Sequence, residues 1–203
     1  MVSTSVTEPG LSPLIVRLQP IVSLSDDDFF QLCQDNRDLR LERSPNGEVL
    51  IMPPTGGETG RRSMRIAGQL DAWTEAHGQG VAFDSSTGFV LPTGAIRSPD
   101  AAWMLRERWD ELPAPARERF VALVPEFVIE LRSPSDRLAD LQAKLQEYMT
   151  AGVALGWLID GVTRAVHVYT PDAEVAAIDE PTRLCGDPVL PGFVLDLEPI
   201  WRG

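Results

Sequence analysis

Pro125-Glu126-Phe127-Val128-Ile129-Glu130-Leu131-Arg132-Ser133-Pro134-Ser135 is the stretch on which the fold turns. Read as a strand, it sends Phe127, Ile129 and Leu131 to one face and Val128, Glu130 and Arg132 to the other, because strand side chains alternate with a period of two. One face is apolar; the other carries a carboxylate and a guanidinium. A carboxylate inside an apolar run is costly to desolvate unless a cation or several donors meet it, so something positive belongs beside Glu130. Upstream, Ser98-Pro99-Asp100 sets a second carboxylate on what reads as a neighbouring strand, and downstream lies Lys144.

Around this centre the elements alternate. Ser133-Pro134-Ser135-Asp136 opens a helix with a serine cap, Leu138, Leu141, Leu145, Tyr148 and Met149 form its apolar stripe, and Gly152 stops it. Strands follow over Val153 to Asp160, Arg164 to Thr170 and Glu174 to Ile178, with an extended closing tail from Pro188 to Trp201. On the upstream side, Val81 to Val90 and Ala95 to Met104 read as strands joined by Leu91-Pro92-Thr93-Gly94. A surface excursion covers about 105–124. Earlier still, a helix from about Glu58 to His77 buries Ile66, Leu70 and Trp73. A hairpin runs Leu39 to Arg43, Ser44-Pro45-Asn46-Gly47, Glu48 to Met52. Ser25 caps a helix whose Asp26, Asp27 and Asp28 suit its N-terminal dipole and fan apart too widely for a metal site. Residues 1–22 form an irregular lead-in with one short strand at Leu14 to Leu18, and 23–203 form a single domain.

Composition narrows the function. With 203 residues, 43% hydrophobic and 24% charged, the chain can bury one sizeable core. No apolar run is long enough for a membrane span and no signal-peptide pattern opens the chain, so a cytosolic protein without a membrane partner is expected. Cys33 and Cys185 are too few for a disulfide framework or zinc cage and read as small buried hydrophobes. His77 and His167 have no serine elbow nearby, which disfavours a Ser-His-Asp triad. The net charge of -12 argues against a simple nucleic-acid coat. It leaves room for a nuclease, whose metal inverts the charge of a local acidic cluster.

Asp100, Glu130 and the Leu131 backbone carbonyl offer the hard oxygen ligands that Mg²⁺ or Mn²⁺ prefers. Lys144 is the only lysine among 18 basic residues. The plainer assignment pairs it with Asp140 one helical turn back, which leaves its solitude unexplained. Glu42 is either an outer ligand or an exposed strand glutamate. Arg61, Arg62 and Arg65 bunch at the start of a helix and suit a phosphate, or else line a solvated face. The preceding Gly56-Gly57 lacks the Gly-Lys-Ser/Thr of a nucleotide-binding loop.

The ordered set Pro53-Pro54-Thr55-Gly56-Gly57-Glu58, Phe83 to Gly88, Ser98-Pro99-Asp100-Ala101, Phe127 to Ser135, Lys144 to Tyr148, Gly156 to Asp160 and Leu190-Pro191-Gly192-Phe193 resembles the PD-(D/E)XK nuclease superfamily. It resembles in particular the bacterial Uma-two family, whose members are classed as restriction endonucleases. The resemblance covers most of the chain from Glu42 onward. It implies an α/β (α+β) fold: a restriction-endonuclease-like central mixed β-sheet flanked by helices, with an N-terminal β-hairpin. It also implies an Mg²⁺-dependent DNA endonuclease that hydrolyses phosphodiester bonds with a metal-activated water, Asp100 and Glu130 holding the metal and Glu42 contributing. A homodimer would supply two sites for cutting both strands. The superfamily pattern has lysine two residues after the acid, where this chain has Arg132; an arginine can hold a phosphate but cannot act as a base. Lys144 then stands as the migrated lysine. The alternative is a binding or regulatory module that keeps the fold without catalysis.

Overall fold

The computed structural model describes residues 13–202; residues 1–12 of the lead-in lie outside them. The chain begins with β1 (Leu14–Val16), α1 (Asp26–Asp35), β2 (Arg40–Arg43), β3 (Val49–Met52) and α2 (Gly57–His77). It continues through β4 (Gly80–Asp84), β5 (Phe89–Val90), β6 (Ile96–Arg97), β7 (Ala101–Leu105), α3 (Arg106–Glu111), α4 (Ala114–Arg117) and β8 (Phe127–Arg132). α5 (Leu138–Ala151), β9 (Leu155–Asp160), β10 (Ala165–Tyr169), β11 (Ala176–Asp179), β12 (Arg183–Cys185), β13 (Val194–Asp196) and α6 (Glu198–Trp201) complete it.

The central sheet has six strands in the order β11-β10-β9-β8-β7-β4. It is mixed: β8 and β9 run parallel across the α5 crossover, and the other neighbours are antiparallel. Both faces of β8 are covered. Phe127, Ile129 and Leu131 pack with Ile66 and Leu70 of α2 and with the C-terminal Phe193, Leu195 and Trp201. Val128 joins Leu158, Leu145 and Tyr148 under α5. Such double burial is why the strand reads as nearly continuous apolar sequence.

The expected N-terminal hairpin is β2 and β3, extended into a second sheet of order β1-β3-β2-β6-β5. Here the expectation of one strand from Val81 to Val90 needs correction. Asp84 accepts the Ser86 N–H at 3.0 Å and its hydroxyl at 2.6 Å, a side-chain turn that ends β4. Phe89-Val90 then joins the smaller sheet, and after β6 the chain crosses back into the larger one through Ser98-Pro99-Asp100. That crossing carries Arg97, Ser98 and Asp100 into the seam between the sheets.

Three further expectations change. The excursion is anchored, since Val121 is buried and bridges Phe89. The helix after β8 starts at Leu138 and not at Ser133, because Ser133 closes a separate turn by donating its N–H (2.8 Å) and hydroxyl (2.6 Å) to the Asp136 carboxylate. Cys185 is exposed and Cys33 only half-buried. The Ser25 cap and the Gly152 stop, with φ 106° in the left-handed region, stand as expected. Among the described residues no helix is long and apolar enough to cross a membrane.

Candidate active site

The two carboxylates meet because of strand register. Ala101 pairs with Ile129 in the antiparallel β7–β8 ladder, so one step further Asp100 stands across from Glu130. The ladder stops there, and the Leu131 N–H that would have continued it donates to Asp100 Oδ2 at 2.8 Å. Asp100 Oδ1 lies 3.8 Å from Arg40 Nη2, a contact too long for a hydrogen bond.

Glu130 sits on the α5 side of β8, and α5 meets it with two residues one turn apart. Tyr148 donates its hydroxyl to Glu130 Oε1 at 3.0 Å, and Lys144 Nζ lies 2.8 Å from the same oxygen. Lys144 also donates to Glu42 Oε1 at 2.9 Å. Glu42 is fully engaged, taking the Ser98 N–H at 3.1 Å and Arg97 Nη1 at 3.1 Å. Arg97 in turn grips Glu147 at 2.7 Å. A continuous chain of charges thus runs Glu147, Arg97, Glu42, Lys144, Glu130. Glu42 and Glu130 are only 2% and 4% exposed, which makes the partners obligatory.

Burial pushes the Glu130 carboxyl up to about 7; Lys144 opposes the rise, and Asp100 and Glu42 add to it. Burial also raises Asp100, against the Leu131 N–H, Arg40 and Lys144. Glu42 ends below the usual carboxylate range because Lys144, Arg97 and the Ser98 N–H outweigh its burial. Burial alone would lower Lys144, yet Glu130 and Glu42 hold it above its usual value, as a charged ammonium.

These groups open into a cavity of about 560 Å³ bounded by β2, β3, the start of α2, the β7–β8 strand ends and α5. Asp100, Glu130, Leu131, Lys144 and Glu42 all line it, so five of the residues singled out in the sequence converge. Four others do not. Arg132 turns to Asp160 on the neighbouring strand, Nη1 to Oδ2 at 2.8 Å, and donates to the Asp136 carbonyl at 3.2 Å. Arg61 is bound to Glu58 and the Pro199 carbonyl, and Arg62 to Glu58 and the Gly161 carbonyl at 2.7 Å. Arg65 faces Asp196 and Glu198 across a separate shallow depression. These three arginines occupy the α2 face turned to the C-terminal segment, away from the carboxylates.

Arg97, Tyr148 and Glu147 are site residues that sequence reasoning did not assign. Glu147 at three residues from Lys144 was a readable helical pair. Arg97 had no such signal, because its role depends on the crossing between sheets.

A hard divalent cation fits this donor set in a specific way. Among the described residues no three His, Cys, Asp or Glu side chains converge on one ion. Among the described residues Asp100 Oδ1 and Glu130 Oε2 accept no hydrogen bond, and both carboxyl groups carry a desolvation burden that a cation would relieve. Mg²⁺ is commonly held by one or two carboxylates and completes its shell with water.

Carboxylates at the ends of two adjacent strands of a mixed sheet, with a lysine supplied by the crossover helix, define an α/β domain of nuclease fold. That fold is shared with a crystal structure described as "a putative nuclease belonging to DUF820" from Anabaena variabilis ATCC 29413. The TM-score is 0.71 at 20% identity, over 88% of this chain and 97% of that one. The chain belongs to the Uma2 family, described as "Putative restriction endonuclease", whose sequence profile matches residues 26–198. No curated protein matches the sequence.

Proposed function

We propose that the protein is a Mg²⁺- or Mn²⁺-dependent endonuclease acting on DNA. The observation that carries this is a pair of carboxylates lining the cavity, buried Glu130 and part-buried Asp100, each with one oxygen that accepts no hydrogen bond among the described residues, and with the Lys144 ammonium 2.8 Å from Glu130. Asp100, Glu130 and the Leu131 carbonyl are the residues that would hold the ion. A strand residue sends its N–H and C=O to the same side, so the Leu131 carbonyl shares the edge on which its N–H meets Asp100. A bound divalent ion would lower the pKa of water and polarise the phosphate.

The chain's own groups do the rest. Lys144, kept charged between Glu42 and Glu130, stabilises negative charge gathering on the phosphate and serves as no base. Glu42 and Arg97 are positioning residues that fix the ammonium. Tyr148 orients Glu130 through Oε1, leaving Oε2 for the ion.

The test is calorimetric titration of Mg²⁺ and Mn²⁺ into the wild type and the Asp100→Ala and Glu130→Ala variants, with plasmid nicking followed on the same samples. Metal binding and metal-dependent nicking that both vanish in the variants are expected. A wild type that binds no divalent ion, with or without DNA, overturns the proposal and leaves a nuclease-fold binding module.

A further inference from the structure

The cavity holds more than the carboxylates need. Resting on the nuclease reading, we propose that it takes an unpaired DNA strand, with a base laid against an apolar shelf beside the scissile phosphate, and that base-paired duplex is a poor ligand.

The shelf is built into the same sheet face as the site. Leu50 pairs across from Glu42 and Met52 across from Arg40, so these apolar side chains lie next to the charged ones on one face. Pro53 and Pro54 extend it, Leu141 of α5 closes one side, and Met64 of α2 stands at the rim, 72% exposed. A methionine left so open beside a polar site is a soft, adaptable surface for a flat ring. Duplex DNA presents sugar and phosphate to such a cavity and keeps its base faces stacked inside. Only an unpaired strand brings a base face to the shelf together with a phosphate at Asp100 and Glu130. A volume of about 560 Å³ is on the scale of a drug-sized ligand, and hence of a nucleotide with its flanking phosphate.

Charge excludes the alternative independently. Four cations line the cavity, but Arg97 and Lys144 are committed to Glu42, Glu147 and Glu130. Arg40, whose Nη2 already donates to the Ser98 carbonyl at 3.1 Å, and the exposed Arg137 are what remains for phosphates. The arginines that could have made a second track, Arg61 and Arg62, are tied to Glu58 and backbone carbonyls. A protein of net charge -12 with two such cations cannot neutralise a duplex backbone along its length.

The experiment uses a short fluorescent single-stranded oligonucleotide and the same sequence as a blunt duplex, with Ca²⁺ as the ion, read by anisotropy across a salt series. Single strand should bind at least about tenfold tighter, with a log K against log salt slope near -1.4 for two neutralised phosphates, whereas six or more duplex contacts would give about -5 or steeper. Met64→Glu should abolish most of the single-strand preference while calorimetric Ca²⁺ binding stays unchanged. Equal or tighter duplex binding, a steep slope, or no binding to either DNA overturns the inference. Replacing Ca²⁺ with Mg²⁺ separates the two claims. Single-strand binding without cleavage removes the nuclease reading and keeps the strand preference; cleavage confined to duplex does the reverse.

Discussion

Lys144 Nζ lies 2.9 Å from Glu42 Oε1, a partner 102 residues away, and the same ammonium is the bridge to Glu130. The helix pairing with Asp140 is not made. Removing the ammonium leaves two buried carboxylates facing each other. Lys144→Met, which keeps the length, is therefore expected to cost about 3–5 kcal/mol at pH 8. At pH 5.5 part of this should return, because Glu130 can then take up a proton. Urea denaturation at the two pH values checks both statements, and activity should be lost under conditions where the variant is still folded.

Glu130 also sets the pH response of the metal-free protein. Its carboxyl is raised from 4.5 to about 7 by burial, so between those values the folded chain binds the extra proton. Stability conferred by that proton is complete below about 4.5 and is lost as pH rises through 7, of order 3 kcal/mol in all. Urea midpoints measured from pH 5 to pH 8.5 should fall across this window, and Glu130→Gln should flatten the curve. Divalent ions compete with the same proton, so their addition should restore stability above pH 7 and do little below pH 5.5.

Asp100, Glu130 and Lys144 were legible because each breaks a local pattern: a carboxylate after Ser98-Pro99, a carboxylate inside an apolar strand, a solitary lysine. What was not legible depends on which element stands opposite. Alternation puts Arg132 on the face of Glu130, but only the parallel register with β9 brings Asp160 to it. Helical spacing groups Arg61, Arg62 and Arg65, but only the packing of the C-terminal segment shows that their face points away from the cavity. The break at Asp84, which splits one expected strand between two sheets, is written in Ser85-Ser86-Thr87, and its consequence for Arg97 is not.

Arg132 stands where the related pattern has its lysine, yet its guanidinium is spent on Asp160, which is 1% exposed and also accepts the Val162 N–H. Arg132→Lys is therefore expected to bring no gain in activity, since the ammonium would pair with Asp160 and not turn to the phosphate. Arg132→Ala should instead cost stability, about 1–3 kcal/mol, through the orphaned carboxylate. Parallel nicking assays and urea curves on the two variants separate a site role from a structural one. An increase in the rate of Arg132→Lys would restore Arg132 to the active site.

The α2 arginines give the complementary case, because Arg61 and Arg62, beside their pairing with Glu58, each hold a distant backbone carbonyl. Arg62 holds the turn after β9 through the Gly161 carbonyl at 2.7 Å. Arg62→Ala is expected to lose about 1–2 kcal/mol, the value of a charged hydrogen bond that is partly screened. Arg61→Ala should loosen the C-terminal segment at Pro199, seen as faster amide exchange around Trp201. Arg65 is exposed and makes no ion pair within the salt-bridge distance among the described residues, so Arg65→Ala should leave stability within about 0.5 kcal/mol. None of the three should change the Michaelis constant for DNA by more than about twofold, since charges on an α2 face turned away from the carboxylates act on the site only through screened long-range fields. A large rise in that constant for Arg65→Ala, with stability intact, would mean that the DNA runs along α2 and that the basic cluster is a phosphate track after all.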